Sequence, residues 1–160
     1  MREMRVVTVG IDRVRAQSVL LLEEVGGQHR LLQVWIGPFE AAVIEGERRA
    51  ERSARPLTHQ LISAVASALG GRLRQVDLVG LEAGVYLAEL VLEGDRQVPA
   101  RPSDAVALAL HDGVPIYAGE GLLDQVGMTA QRTAEGDEAQ LLDRFRRFLD
   151  SAAPADFDRE

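Results

Sequence analysis

The sequence predicts an α+β fold: a single compact domain in which a largely antiparallel, mixed sheet packs against helices, with a C-terminal amphipathic helix after it. Three observations predict this class. Segments in which apolar residues alternate, as in strands, occur in groups, and between these groups lie segments in which apolar residues recur with the period of a helix. The links between consecutive strands are short and turn-like. No glycine-rich phosphate loop of a doubly wound fold is present. A chain of 160 residues can bury one sizeable core.

The first half of the chain contains three predicted strands and two predicted helices. Gly26-Gly27 provides the turn of a hairpin between the second and third strands. Pro38 suits the first turn of the first helix, and Gly70-Gly71 ends the second helix. The strands are predicted over 5–12, 18–23 and 30–36, and the helices over 39–49 and 58–69.

The second half begins with further strands and a short, very apolar helix over 103–110, which we expect to be buried on most sides. The last predicted helix, over 137–149, is amphipathic and precedes an acidic tail. We therefore divide the chain into a domain over 1–130 and a linker, helix and tail over 131–160. The strands are predicted over 73–81, 85–93, 96–100 and 114–117, with a helical turn over 121–126.

Composition and charge exclude several classes of protein. The absence of cysteine excludes a disulfide framework, a thiolate metal site and a cysteine nucleophile. The net charge of −7 disfavours non-specific adhesion to nucleic acid, although residues 46–76 carry six arginines against two glutamates. Every basic residue is an arginine, which can bind a phosphate through two parallel hydrogen bonds. No apolar run is long enough to span a membrane, and we expect a cytoplasmic protein.

Two helix starts have nearly the same sequence, Arg55-Pro56-Leu57-Thr58-His59 and Arg101-Pro102-Ser103-Asp104. In each, a hydroxyl residue that suits the N-cap follows an arginine and a proline. A helix N-terminus has unpaired N–H groups and partial positive charge, so an adjacent arginine makes it an anion site. If the two starts meet, they form a phosphate pocket from Arg55, Thr58, Arg101 and Ser103. Alternatively, each arginine caps its helix or pairs with a nearby acid.

Candidates for proton transfer lie in three predicted first turns. His59 is the candidate general acid or base, because a helix N-terminus favours the neutral imidazole. Asp104 and Glu40 are candidates to orient the histidine or to hold a cation. For each residue a purely structural role is the alternative. No HExxH, His-x-His or DxD pattern provides a preformed metal site, so the cofactor stays unknown, with a divalent cation such as magnesium as the candidate.

Four motifs in order resemble those of a known family. They are Val34-Trp35-Ile36-Gly37-Pro38-Phe39-Glu40-Ala41, Arg55-Pro56-Leu57-Thr58-His59, Arg101-Pro102-Ser103-Asp104-Ala105-Val106-Ala107-Leu108-Ala109 and Val114-Pro115-Ile116-Tyr117. Together they resemble the bifunctional nuclease domain family of bacteria and plants. The resemblance implies a compact α+β domain that forms homo-oligomers and has both DNase and RNase activity.

One position departs from that family's pattern: Gln60 stands where an aspartate is common. If that aspartate binds a metal or acts as the base, this chain would be a weak or inactive nuclease. The leading hypothesis is a nuclease that hydrolyses phosphodiester bonds in DNA and RNA. We expect it to form homo-oligomers and to have no membrane partner. The alternatives are a non-catalytic oligomeric module that binds a nucleotide or other phosphorylated ligand, and a scaffold whose C-terminal helix docks a partner.

Overall fold

The computed structural model describes residues 1–12, 17–51 and 53–129, and within them the chain forms eight strands and four helices. The strands are β1 (Arg2–Asp12), β2 (Gln17–Glu24), β3 (Arg30–Ile36), β4 (Leu73–Glu82), β5 (Val85–Leu92), β6 (Arg96–Ala100), β7 (Ile116–Ala118) and β8 (Met128–Thr129). The helices are α1 (Pro38–Arg48), α2 (Thr58–Ala68), α3 (Pro102–Asp112) and α4 (Glu120–Val126). Each strand and helix predicted within these residues is present, with boundaries that differ by a few residues.

The strands form one mixed sheet in the order β6-β5-β4-β7-β1-β2-β3-β8. Neighbouring strands are antiparallel except β4 and β7, which are parallel. The tight β4–β5 turn has positive φ at Ala83 (48°) and Gly84 (77°), as a two-residue hairpin turn of the primed type requires. The predicted α+β class, with a largely antiparallel mixed sheet and helices, is therefore confirmed.

The main core lies between the sheet and α3, whose buried residues occupy most of its surface. Leu22, Val76 and Leu78 of the sheet belong to the same apolar cluster as the small residues of α3, which allow the helix to approach the sheet closely. Gly113 ends α3 in the left-handed conformation that a helix C-terminus favours (φ 67°). This packing fixes where the first turn of α3 lies.

The structure corrects the assignment of Thr58 and Ser103 as N-caps. The N-cap of α2 is Leu57 and that of α3 is Arg101, so each hydroxyl residue lies inside the first turn. Proline has the φ of a helix and no N–H, and Pro102 therefore occupies the first helical position and shifts the cap to the residue before it.

The predicted helix over 137–149 and the acidic tail lie outside the described residues, so the division of the chain near residue 130 stays a prediction. Among the described helices, none is both long and apolar enough to cross a membrane.

Candidate functional site

The first turns of three helices meet at one end of the core. α3 packs against both α1 and α2, and the first turns of these helices carry Glu40 on α1, His59 on α2 and Asp104 on α3. Because α3 is fixed by its buried apolar residues, it holds Asp104 where side chains from the two other helices reach it.

Four of the residues predicted from the sequence form one continuous chain of polar contacts. His59 Nε2 lies 3.0 Å from Asp104 Oδ1. Arg101 donates to the same carboxylate through Nε, 2.6 Å from Oδ2, and through Nη2, 3.0 Å from Oδ1. Arg101 Nη1 also donates to Glu40 Oε1 at 3.1 Å. We call this set, His59–Asp104–Arg101–Glu40, the four-residue chain.

The charge state of Asp104 follows from its neighbours. Hydrogen bonds from Arg101 lower the pKa of Asp104 below its usual range, and the contact with His59 acts in the same direction, whereas partial burial opposes both. The same bidentate contact raises the pKa of Arg101. Asp104 is therefore a carboxylate at neutral pH. A carboxylate accepts from Nε2–H of His59, which leaves the lone pair of the neutral imidazole on Nδ1.

The four-residue chain is open to solvent mainly at its arginine. The side chain of Arg101 is 66% exposed, whereas those of His59, Glu40 and Asp104 are 14%, 23% and 28% exposed. Three N–H groups of the guanidinium already donate to carboxylates. Glu40 and Asp104 supply two carboxylates against the one guanidinium of Arg101, so the set is not the basic phosphate pocket that the two arginines predict.

The other members of the predicted phosphate-binding set do not join the four-residue chain. Arg55 and Thr58 are exposed, and within the described part of the protein Arg55 forms no hydrogen bond or ion pair. Ser103 is buried, with 7% of its surface exposed. The guanidinium of Arg55 is thus accessible to an anion from solution.

A cleft of about 630 Å³ opens beside the four-residue chain. Its lining includes the polar residues Glu40, Arg101 and Ser103 and the more apolar residues Ile36 and Tyr86. Burial raises the pKa of Tyr86, so its hydroxyl is neutral and can donate a hydrogen bond. A mostly apolar lining with a few charged and polar groups is typical of clefts that bind small organic ligands.

A second set of contacts joins the same three helices and is not predicted from the sequence. Gln60 Nε2 donates to Glu47 Oε1 at 3.0 Å, and Glu47 Oε2 lies 3.2 Å from His111 Nδ1. Gln60 Oε1 accepts from the N–H of Leu57 at 3.0 Å. The sequence pattern that could have indicated the role of Glu47 is its spacing from Glu40: the two are two helical turns apart and share a face of α1. The two contacts at position 60 require a side chain with both a donor and an acceptor. An ionised aspartate offers only acceptors.

Gly37 explains how the carboxylate of Glu40 reaches Arg101. A Cβ added at Gly37 would overlap Glu40 Oε2, which shows that this carboxylate folds back over the N-cap residue of α1. Any larger residue at position 37 would displace the carboxylate from its present place. The glycine between Ile36 and Pro38 therefore has a steric role in the site.

The described residues do not fit a divalent cation. Within residues 1–12, 17–51 and 53–129, no group of three or more histidine, aspartate or glutamate side chains could hold a metal ion. The guanidinium of Arg101 bridges Glu40 and Asp104 and supplies the positive charge that a cation between two carboxylates would supply. The geometry fits an arginine-bridged carboxylate pair better than a magnesium site.

Comparisons with known proteins cover the whole site. A family model described as the bifunctional nuclease domain matches residues 20–131, which include all members of the four-residue chain. Two proteins of Mycobacterium tuberculosis are similar over nearly their full length: the uncharacterized proteins MT1877 of strain CDC 1551 / Oshkosh and Rv1829 of strain ATCC 25618 / H37Rv. Each is 41% identical to this chain over 162 residues, covering 98% of both sequences.

Proposed function

Because the chain belongs to the bifunctional nuclease domain family, we propose that it hydrolyses phosphodiester bonds in both DNA and RNA, with water as the nucleophile. A single mechanism for both substrates requires water, since DNA lacks the 2′-hydroxyl that could attack the neighbouring phosphorus in RNA. At the level of atoms, the observation that supports the proposal is the 3.0 Å contact between His59 Nε2 and Asp104 Oδ1.

His59 acts as the general base in this proposal. Asp104 accepts from Nε2–H, and Nδ1 takes a proton from a water molecule as that water attacks the phosphorus. The phosphorus–oxygen bond to the leaving sugar oxygen breaks, and that oxygen takes a proton from solvent. The Asp104 carboxylate stabilises the imidazolium until it returns its proton to solvent, in the way that a buried aspartate supports a catalytic histidine.

The charge that develops on the phosphate is stabilised chiefly by Arg55. Arg101 is already bound to Glu40 and Asp104, so its charge is largely balanced within the protein. Arg55 is exposed, forms no ion pair with the described residues and lies three positions before the first residue of α2, the helix that carries His59. Removal of one charged group that stabilises the transition state typically lowers kcat by about 10²-fold or more.

The proposal is tested by the cleavage of a single-stranded DNA and a single-stranded RNA of the same sequence. His59→Gln is expected to lower kcat by about 10²-fold or more on both substrates, and Arg55→Ala by about 10²-fold. The matched controls are His29→Asn, in the β2–β3 turn, and Arg74→Ala, on β4, which should retain activity. If His59→Gln and Arg55→Ala retain full activity, the assignment of the site is wrong.

The choice of water as nucleophile has its own test. An RNA with every 2′-hydroxyl methylated is expected to be cleaved within about tenfold of the rate of the unmodified RNA, because methylation only adds a small group beside the phosphate. The products should contain no 2′,3′-cyclic phosphate. If methylation abolishes cleavage and DNA is not cut, the 2′-hydroxyl is the nucleophile and the proposal of a common mechanism fails.

The second candidate function is a non-catalytic module that binds a nucleotide or other phosphorylated ligand. It is favoured by the neutralisation of Arg101 and by the net charge of −7, both of which weaken contact with a long polyanion. Its signature is saturable binding of a mononucleotide with no turnover of either nucleic acid. Loss of that binding in Arg55→Ala would assign it to the same surface.

We also propose that copies of the chain associate through α2. This helix has no buried residue and no charged residue, and its apolar side chains Leu61, Ile62 and Val65 are each about half exposed. Two uncharged copies of this face can meet about a two-fold axis without like-charge repulsion. Val65→Asp is expected to convert the oligomer to a monomer in sedimentation equilibrium, whereas Ser67→Asp, also on α2, serves as the matched charge control.

A further inference from the structure

The sheet has a second apolar cluster on the face opposite the main core. Val7 is 1% exposed, and Val19 and Leu21 are fully buried, with the partly buried Leu31 and Trp35 packed against them. Each described member of this cluster lies on β1, β2 or β3, whereas the apolar residues of α1, α3 and α4 contribute to the main core. Strand side chains stand roughly perpendicular to their sheet and cover one another only in part, so burial this complete indicates an element packed over the face.

We propose that the C-terminal segment docks on this face through its predicted helix over 137–149. The burial is a property of a single chain, so the cover belongs to the chain itself and lies outside residues 1–12, 17–51 and 53–129. Residues 13–16 are only a short connection between β1 and β2, and residue 52 is a single position. The segment 130–160 is the one piece with enough apolar side chains to cover the face.

The connection of this segment to the sheet brings it to the required place. β8 is antiparallel to β3, with Leu31 paired to Met128 and Arg30 paired to Thr129. The chain therefore leaves β8 at the edge of the sheet beside Arg30, the residue next to Leu31, which is a member of the cluster. Neighbouring strands are about 4.8 Å apart, so β1 and β3 are separated by roughly 10 Å, which a linker of a few residues can cross.

The predicted helix matches the face in length and in pattern. A helix over 137–149 is about 20 Å long, close to the roughly 23 Å of a seven-residue strand such as β3. Its apolar residues recur on one side of the helix, and the remaining positions are mostly charged. The stripe consists of Leu141, Leu142, Phe145, Phe148 and Leu149.

Gln33 gives a second, independent indication that this face is closed to water. Its Cα is paired with that of Leu21 across β2 and β3, so it lies among the members of the cluster. Its Nε2 is buried and has no hydrogen-bond partner among the described residues. On a solvated sheet face this amide would donate to water, so its burial requires an element packed over β3.

Trp35 is the only tryptophan of the chain and lies on this face, so its fluorescence reports the docking directly. In the full-length protein, Phe145→Asp is expected to shift the emission maximum to longer wavelength and to increase quenching by acrylamide. Phe157→Asp, which changes the same residue type in the same segment but outside the predicted stripe, should leave both unchanged. Unchanged emission in Phe145→Asp, or equal shifts in the two variants, would overturn the proposal.

Cross-linking keeps the proposal testable if Phe145→Asp unfolds the chain. The protein has no cysteine, so Gln33→Cys combined with Cys substitutions at Leu142, Phe145 or Phe148 introduces a single possible disulfide in each variant. We expect rapid oxidation within one chain for at least one of these pairs and none for Gln33→Cys with Phe157→Cys. A disulfide that forms only between two chains, or in none of the three pairs, would contradict docking within the chain.

Discussion

His59 and Asp104 are 45 residues apart in the sequence, yet His59 Nε2 lies 3.0 Å from Asp104 Oδ1. Each residue is in the first turn of its helix, so the two Arg-Pro helix starts adjoin through these side chains. An anion is bound at this junction, but it is the carboxylate of Asp104 and belongs to the protein. The site therefore resembles an imidazole–carboxylate pair supported by an arginine more than an empty phosphate pocket.

Asp104→Asn should reduce both activity and stability. The amide keeps the size of the side chain but cannot accept a bidentate contact from Arg101 or hold His59 in one tautomer. We expect a loss of kcat of about 10²-fold and a loss of unfolding free energy on the order of 1 kcal/mol at pH 7. Urea denaturation and cleavage assays measure the two effects separately.

The pH dependence of that stability loss has a definite sign. The pKa of Asp104 is lower in the folded protein than its ordinary value, so its stabilising contribution is complete above the ordinary value of about 3.9 and is lost as the pH falls through the lowered value. The stability difference between wild type and Asp104→Asn should therefore be constant near neutral pH and shrink below about pH 4. A difference that grows on acidification would contradict the assignment.

The hydrogen bond between Gln60 and Glu47 has an amide donor and a carboxylate acceptor, and the two groups can be swapped between the positions. Gln60→Glu places a second carboxylate beside Glu47 Oε1, which now accepts from Gln60 Nε2 at 3.0 Å, and should cost on the order of 1 kcal/mol of unfolding free energy. Adding Glu47→Gln restores one donor and one acceptor between the positions and should recover much of the loss. A double-mutant cycle followed by thermal denaturation measures this coupling, and additive effects would exclude it.

Gly37→Ala should uncouple Glu40 from Arg101 without any change of charge. The added methyl group overlaps the present place of Glu40 Oε2, and the φ of −73° at this position is accessible to alanine, so the carboxylate moves rather than the backbone. We expect a several-fold loss of kcat/KM and no further loss when Gly37→Ala is added to Glu40→Gln. Gly121→Ala, at a helical glycine with no atom within 4 Å of the added Cβ, is the matched control.

The sequence predicted the elements well because their signals are local. Alternating strands and the apolar run of α3 leave little choice of conformation, and the paired Arg-Pro motifs lead correctly to adjoining helix starts. The assignment of Ser103 as N-cap failed because Pro102 occupies the first helical position and places the N-cap two residues earlier, at Arg101. In α2 the N-cap is Leu57, one residue before Thr58.

The electrostatics of the site depend on the tertiary structure. From the sequence, Arg101 counts as a free cation, but Asp104 and Glu40 reach it from two helices and balance its charge. The role of Glu47 depends on the crossing of α1 with α2 and α3, which the sequence does not specify. Long-range side-chain pairing was thus the part that pattern and propensity could not predict.

Arg30 should be among the most sensitive residues for stability. Its side chain is 4% exposed and binds Glu24, which is 1% exposed, together with the outer partners Glu120 and Asp124. Arg30→Met would leave the buried Glu24 carboxylate with only the half-exposed Arg2, whose Nε is 3.6 Å from Glu24 Oε1, as a counter-charge, at a cost of up to about 3–5 kcal/mol. Glu120→Gln removes a partner that is 46% exposed, from the same guanidinium, and should cost less than about 1 kcal/mol.

The stability cost of Arg30→Met should also depend on pH. Arg30 lowers the pKa of Glu24, so the contribution of the buried pair is complete above the ordinary glutamate value of about 4.3 and disappears as the pH falls through the lowered value. In Arg30→Met the buried carboxylate gains by protonation, so acidification should narrow the gap to wild type. Equal costs for Arg30→Met and Glu120→Gln at neutral pH would mean that water reaches Glu24 and that the pair is not buried in solution.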